Sequence, residues 1–164
     1  MGKRKHPHHR DSLSGVMMNV CHLSVAVTTE SLAMAAGRSI TGRIWLKLEG
    51  RDFPERDWFD FPVALLNSWI EEISKLSYAE NQTGFLHFMD GPFMITMKAR
   101  SATLASASFI RSGQVLCEAS VSVDEFSRSV KMAGRLVAEA CIARGWSDEE
   151  IMKLDAASRD NGIG

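Results

Sequence analysis

The stretch that most constrains the fold is residues 60–76, which read DFPVALLNSWIEEISKL. Large apolar side chains recur at helical spacing from Val63 to Leu76, whereas the charged side chains and Asn67 fall on other faces. Asp60 is a suitable N-cap, and Pro62 suits the first turn of a helix, where its missing amide proton is not needed. The pattern therefore predicts an amphipathic helix over 62–76, whose apolar stripe must be buried against another layer.

Alternating apolar and polar residues on both sides of this helix predict the strands that form that layer. Two strands precede the helix, and four follow it in two hairpins around Gly91-Pro92 and residues 111–114. Strands joined by such short turns pair antiparallel, so one antiparallel sheet is expected. The predicted strands are 21–28, 42–49, 85–90, 93–99, 104–110 and 115–123.

Two more helices are predicted after the last strand. The longer one has Asp124 as its N-cap and stops at Gly145. In the short last helix, Ser147 is the expected N-cap and Glu150 follows at the spacing of a capping box. The predicted class is therefore α+β: an antiparallel sheet of about six strands packed against two main helices, plus a short C-terminal helix, with residues 156–164 frayed.

Length and charge limit the class of protein. The chain has 164 residues, of which 45% are hydrophobic and 24% charged, so a single domain over 17–155 is expected. No apolar run approaches the roughly 20 residues that span a bilayer, so no membrane contact is predicted. The first ten residues carry four bases and no acid, which leaves 15 bases (19 − 4) against 20 acids in the rest. We expect a disordered basic leader over 1–16 and an acidic domain that does not bind nucleic acid directly.

The sequence contains no pattern typical of a catalytic or cofactor site. Cys21, Cys117 and Cys141 are far apart, and each falls on the apolar face of its element, as expected for buried thiols in a reducing compartment. His22 and His87 have no neighbours that predict a nucleophilic site. We therefore expect no metal, no cofactor and no enzyme activity. Two alternatives stay open: an enzyme with an unrecognised site, and a small-ligand-binding protein of helix-grip type with a cavity near the small residues 105–108.

Acidic and aromatic side chains are interleaved between residues 49 and 60. Pro54 prevents a regular element there, so a connecting loop is predicted. Such a loop suits a basic protein partner, because charge speeds the encounter and an aromatic anchor supplies affinity. In the alternative interpretation the aromatic side chains fold under the loop and its charges are only solvated. The candidate partner-binding residues are Asp52, Glu55, Asp57, Trp58 and Asp60 in this loop, and Asp90 in the hairpin turn that contains Gly91-Pro92.

A set of short motifs is spread over residues 19–154. They are Gly42-Arg43-Ile44-Trp45-Leu46, Phe53-Pro54, Trp58, Asp60-Phe61, Trp69, Phe88-Met89-Asp90-Gly91-Pro92-Phe93 and Gly145-Trp146. In these motifs the chain resembles small bacterial proteins of the immunity type, which neutralise polymorphic or contact-dependent toxins by binding them. The resemblance implies a cytoplasmic, non-enzymatic inhibitor that blocks the active site of a cognate toxin. The acidic loop adds the expectation that this toxin has a basic surface. It assigns no individual functional residues.

Overall fold

The computed structural model describes residues 19–76 and 81–160. These residues contain nine strands and three helices. The strands are β1 (Val20–Cys21), β2 (Leu23–Met34), β3 (Ile40–Leu48), β4 (Arg51–Phe53), β5 (Phe59–Asp60), β6 (Thr83–His87), β7 (Phe93–Ala99), β8 (Leu104–Arg111) and β9 (Gln114–Ser122). The helices are α1 (Pro62–Lys75), α2 (Val123–Ala143) and α3 (Glu149–Arg159). The α+β class predicted from the sequence is confirmed.

The strands form two sheets instead of the single predicted one. One sheet has the order β1-β9-β8-β7-β6, with β1 parallel to β9, and the other contains β2, β3, β4 and β5. The chain changes sheets at His22, whose amide donates to the Glu49 carboxylate at 2.6 Å and whose carbonyl accepts from the Glu49 amide at 2.9 Å. An alternating pattern indicates which side chains are buried but not which strand lies alongside, so the run 21–28 could not reveal this change.

Each predicted strand is present, although 21–28 is divided between β1 and β2. The segment predicted as a loop contains the short strands β4 and β5, which both pair with β3. The predicted leader 1–16 and residues 161–164 lie outside the described residues. No helix within the described residues is both long and apolar enough to cross a membrane.

Aromatic side chains pack the two sheets together. Phe53 on β4 meets three rings edge to face, those of Phe88, Phe93 and Phe109, at centroid distances of 5.9, 5.7 and 5.1 Å. Trp69 from α1 adds a further edge contact to Phe88 at 5.3 Å. Such pairs contribute about 0.5–1.5 kcal/mol each beyond the burial of their area. Both sheets and α1 therefore share one apolar core.

The start of α1 differs from the prediction in one respect. Pro62 occupies the first turn as expected, but Phe61 takes the N-cap position and no side chain caps the helix, so the prediction of Asp60 as N-cap is wrong. The sequence pattern predicts Asn67 on a polar face of this helix, but the residue is buried and only 5% exposed. Its amide donates to the backbone carbonyl and the carboxylate of Glu150 at 3.0 and 3.2 Å, which attaches α1 to α3.

The caps of the other two helices lie one or two residues from the predicted positions. Ser122 rather than Asp124 caps α2, and its hydroxyl accepts an amide of the first turn at 3.2 Å. Asp148 rather than Ser147 caps α3, with its carboxylate accepting at 2.8 Å. The predicted fraying is wrong for residues 156–159, because α3 continues through them.

Trp69→Ala is expected to lower the free energy of unfolding by about 3–5 kcal/mol. Trp69 is completely buried, and its indole N–H donates to the His87 carbonyl at 3.0 Å, so the substitution leaves a cavity and an unpaired acceptor. Urea denaturation followed by circular dichroism measures the change. Ser68→Ala, at an exposed position of the same helix, is the control and should stay within about 0.5 kcal/mol of the wild type. Equal stability of Trp69→Ala and the wild type would contradict the core assignment.

Candidate functional site

A buried carboxylate organises the region where the candidate residues lie. Asp60 is completely buried, and its two oxygens accept four hydrogen bonds. The donors are the indole of Trp58 at 3.0 Å and the backbone amides of Phe61, Met89 and Asp90 at 2.8, 3.3 and 3.1 Å. Two of these donors flank Asp60 in the chain and the other two belong to the β6–β7 turn, so one side chain holds residues 58–61 against that turn.

The approach of the β6–β7 turn to β5 depends on a glycine. Gly91 has a φ of +73°, in the region that favours glycine, and a Cβ there would lie 3.2 Å from the indole ring of Trp58. The same indole packs edge-on against Phe93, with the ring centroids 5.2 Å apart. The Asp-Gly-Pro sequence of this turn therefore has a steric reason, since a side chain at 91 would push the turn away from β5.

Asp60 also positions two walls of a surface cleft. The cleft has a volume of about 380 Å³ and lies where the β2–β3 turn and the first turns of α1 and α3 converge. Phe61 and Met89, whose amides are held by Asp60, form its walls together with Ile40 and Val63. Apolar walls with a few polar groups at the rim are typical of sites that take a side chain or a small ligand.

The rim of the cleft carries opposite charges. Arg38 lies on the β2–β3 turn, and Asp148 and Glu150 lie at the start of α3. Both carboxylates already have partners: Asp148 accepts from the Ile151 amide at 2.8 Å, and Glu150 accepts from the Asn67 amide at 3.2 Å. The acidic side of the rim is thus held in place before any ligand arrives.

Two apolar side chains near Asp60 face outward. Phe59 is 50% exposed and Met89 is 60% exposed. Phe59 lies opposite Arg43 in the β3–β5 register, and the Arg43 guanidinium donates to the Asp57 carbonyl at 2.7 Å. Three exposed acids, Glu55, Asp57 and Asp90, lie on the same two segments together with one base, Arg56. We call Glu55, Asp57, Phe59, Met89 and Asp90 the loop surface.

Of the six predicted site residues, Glu55, Asp57 and Asp90 are exposed, and their role in partner binding stays a prediction. The prediction did not include Phe59. A period of two along 58–60 could have found it, because Phe59 must face outward where Trp58 and Asp60 face inward. Met89 lies in a turn, where the sequence carries no such periodic signal.

The other three predicted site residues hold the fold together. The prediction of Asp60 as a partner contact is wrong, because its carboxylate is buried and fully engaged by four donors. Trp58 is half-buried and packs against the core, as in the alternative interpretation in which the aromatics fold under the loop. Asp52 is half-buried on β4, accepts from the Trp45 indole at 3.0 Å and lies 3.9 Å from the Lys47 ammonium.

Among the described residues, the thiols and the two histidines, His22 and His87, form no metal-binding cluster with these side chains. Burial raises the pKa of the Cys141 thiol to about 11, so this group stays protonated and unreactive at neutral pH. Cys21 and Cys117 are half-buried, and His22 contacts the Glu125 carboxylate at the other end of β2. Across 19–76 and 81–160, no group of three His, Cys, Asp or Glu side chains is arranged to hold a metal.

The small residues of β8 divide between the two faces of the five-stranded sheet. Ala105 and Ala107 are completely buried in the apolar core. Ser106 and Ser108 lie on the opposite face, where Ser106 accepts from Arg100 and Ser108 donates to Glu118. The sequence predicted a ligand cavity near residues 105–108. On the inner side of β8, core packing fills this region.

Comparison with protein-family models, curated proteins and solved structures finds no match to this chain. The chemistry of the loop surface and the cleft is therefore what bears on function.

Asp60→Asn is expected to destabilise the protein strongly. The amide group of Asn replaces one acceptor oxygen with a donor, so two of the four donors lose their acceptor, at about 1–3 kcal/mol for each buried donor. The midpoint of urea unfolding measures the effect. Asp57→Asn is the matched control, because Asp57 is exposed and its φ of +59° suits Asn equally well. If both variants unfold at the wild-type urea concentration, the Asp60 carboxylate is not the link between these segments.

Proposed function

We propose that this protein is a non-enzymatic inhibitor that acts in the cytoplasm and neutralises a cognate bacterial toxin by direct binding, as immunity proteins do. The loop surface is the part of the molecule that contacts the toxin. The observation that carries the proposal is that the half-exposed Phe59 and the exposed Met89 lie on two segments held together by a buried carboxylate.

Rigidity supports the role of the loop surface in binding. An exposed aromatic ring on a flexible loop loses conformational entropy when a partner binds, whereas a ring on a fixed frame has already lost it. Phe59 belongs to β5, which pairs with β3, and the next residue is the buried Asp60. A few hot-spot side chains carry most of the binding energy in a protein interface, and aromatic residues are enriched in interfaces.

Charge supports a basic partner. The loop surface presents Glu55, Asp57 and Asp90 against Arg56 and the adjacent Arg43, so its balance is still acidic. Acidic groups around an apolar anchor attract a basic surface over long range and repel acidic competitors. Enzymes that act on nucleic acids have such basic surfaces, and a toxin of that class would fit.

The cleft supports a second candidate function. Its volume of about 380 Å³ and its apolar walls also suit a small ligand, which would make the protein a ligand-binding module. The two candidates differ in their partner. Co-expression with the neighbouring gene product, followed by affinity purification, yields a stable complex for a toxin inhibitor and none for a ligand carrier.

Charge reversal on the loop surface is the first test. In a variant with Glu55→Lys, Asp57→Asn and Asp90→Lys, attraction to a basic toxin becomes repulsion, and association should slow by roughly tenfold or more at low salt. Asp57 receives Asn because of its positive φ. Stopped-flow mixing with the toxin at several salt concentrations measures the rate and its salt dependence.

The matched control has the same charge change on exposed acids of other elements: Glu118→Lys on β9, and Asp124→Asn with Glu139→Lys on α2. This variant should associate within about twofold of the wild-type rate, because screening limits charge effects beyond roughly 10 Å. Equal slowing of both variants would mean that only the overall charge affects the association rate. Unchanged association of the first variant would exclude the loop surface as the toxin-binding surface.

Phe59→Ala tests the anchor separately from the charges. Loss of a hot-spot aromatic side chain should weaken binding by about 2 kcal/mol, mainly through faster dissociation. Surface plasmon resonance with immobilised toxin measures the dissociation rate. Because Phe59 is half exposed, the melting temperature should change little, and a variant that dissociates at the wild-type rate would remove Phe59 from the interface.

A further inference from the structure

A groove runs between α2 and the outer face of the four-stranded sheet. Alternation along β3 places Ile44 and Leu46 in the core and Trp45 and Lys47 on the opposite face. Helix α2 lies along the edge of β2, where the Ser129 hydroxyl accepts the Val25 amide at 2.8 Å. The space between them has a volume of about 600 Å³.

The floor of the groove is a buried tryptophan on the solvent side of a sheet. Trp45 is only 7% exposed, yet it does not belong to the main apolar core. Its indole N–H donates to the Asp52 carboxylate at 3.0 Å, which fixes the ring. Trp45 therefore forms a separate, preorganised apolar floor.

The wall formed by α2 is apolar and exposed. Met132 is 58% exposed and Leu136 is 46% exposed, and both line the groove one helical turn apart. They lie beside, and not within, the stripe that α2 buries in the core. An apolar floor and an apolar wall at this spacing match the face of an amphipathic helix.

The charged residues that line the groove are both basic. Lys47 lies on the floor side and Arg128 on the helix side, and Arg128 is exposed. Asp52, which lies 3.9 Å from the Lys47 ammonium, offsets part of this charge. The charge of the groove is therefore basic, whereas that of the loop surface is acidic, so a partner that suits one site does not suit the other.

We propose that this groove is a second interaction site, which binds an amphipathic helical segment carrying acidic side chains. The apolar face of that segment packs on Trp45, Met132 and Leu136, and its carboxylates meet Lys47 and Arg128. From Arg128 to Leu136 the helix rises about 12 Å, so the groove accommodates roughly two turns of a partner helix. The first ten residues of this chain carry only basic charge and would be repelled here.

The test uses two synthetic peptides and the full-length protein. Both peptides carry leucines at helical spacing, and one has glutamates where the other has lysines. The methyl resonance of Met132, assigned with a Met132→Leu variant, reports binding in a ¹³C-methionine NMR titration. The glutamate peptide should shift this resonance and bind roughly tenfold more tightly than the lysine peptide.

The Arg128→Glu variant should abolish this preference, and Lys47→Glu with Arg128→Glu should reverse it. Arg128 is exposed, so the single variant does not depend on a rearranged sheet. Lys98→Glu with Lys131→Glu is the control of equal charge change outside the groove and should keep the preference.

Four results would overturn the proposal. Equal binding of the two peptides, or none, would exclude charge recognition. A dimer in light scattering that Met132→Glu dissociates would make a second copy of the chain the occupant. Binding to anionic phosphatidylserine vesicles that Arg128→Glu abolishes, without any peptide preference, would point to a lipid surface. Peptide binding only after removal of residues 1–18 would assign the groove to the chain itself.

Discussion

The Asp60 carboxylate accepts hydrogen bonds from four donors, two in its own segment, 58–61, and two in the β6–β7 turn. A buried carboxylate without such donors would be expensive, so the segments must stay together for the charge to be tolerated. The rest of the region follows from this requirement. β5 is held beside the β6–β7 turn, Phe61 takes the N-cap position of α1, and Met89 stands exposed in the turn. The outward position of Phe59 is a consequence of the inward position of Asp60.

Strand β3 contributes side chains both to the core and to the outer face of the four-stranded sheet. The inner side chains of β3 belong to the core that joins both sheets through Phe53. The outer side chains run from Arg43, opposite Phe59, through Trp45 to Lys47. Phe59 of the loop surface and the floor of the groove therefore lie on the same outer face of this sheet, and β3 fixes the distance between them.

Much of the secondary structure could be predicted, because it depends on local periodicity. The apolar stripe of α1 and the hairpins around Gly91 and Gly113 are encoded within single stretches of chain. The division into two sheets could not be predicted in this way. It depends on His22 meeting Glu49, and on a parallel pairing between β1 and β9 that involves residues 100 positions apart. For the same reason Asn67, polar in pattern, is buried by its contact with Glu150.

The candidate site shows the same division between local and long-range information. The sequence by itself determined the α+β class, the position of the helices and the concentration of acids and aromatics between residues 49 and 60. Only the tertiary structure decided which of those side chains reach the surface. Asp60 and Trp58 turn inward because four donors and an aromatic core are available to them there, and Phe59 is left outside by the alternation of the strand. Composition specifies which residues are present in a loop, whereas burial depends on partners that the folded chain brings from elsewhere.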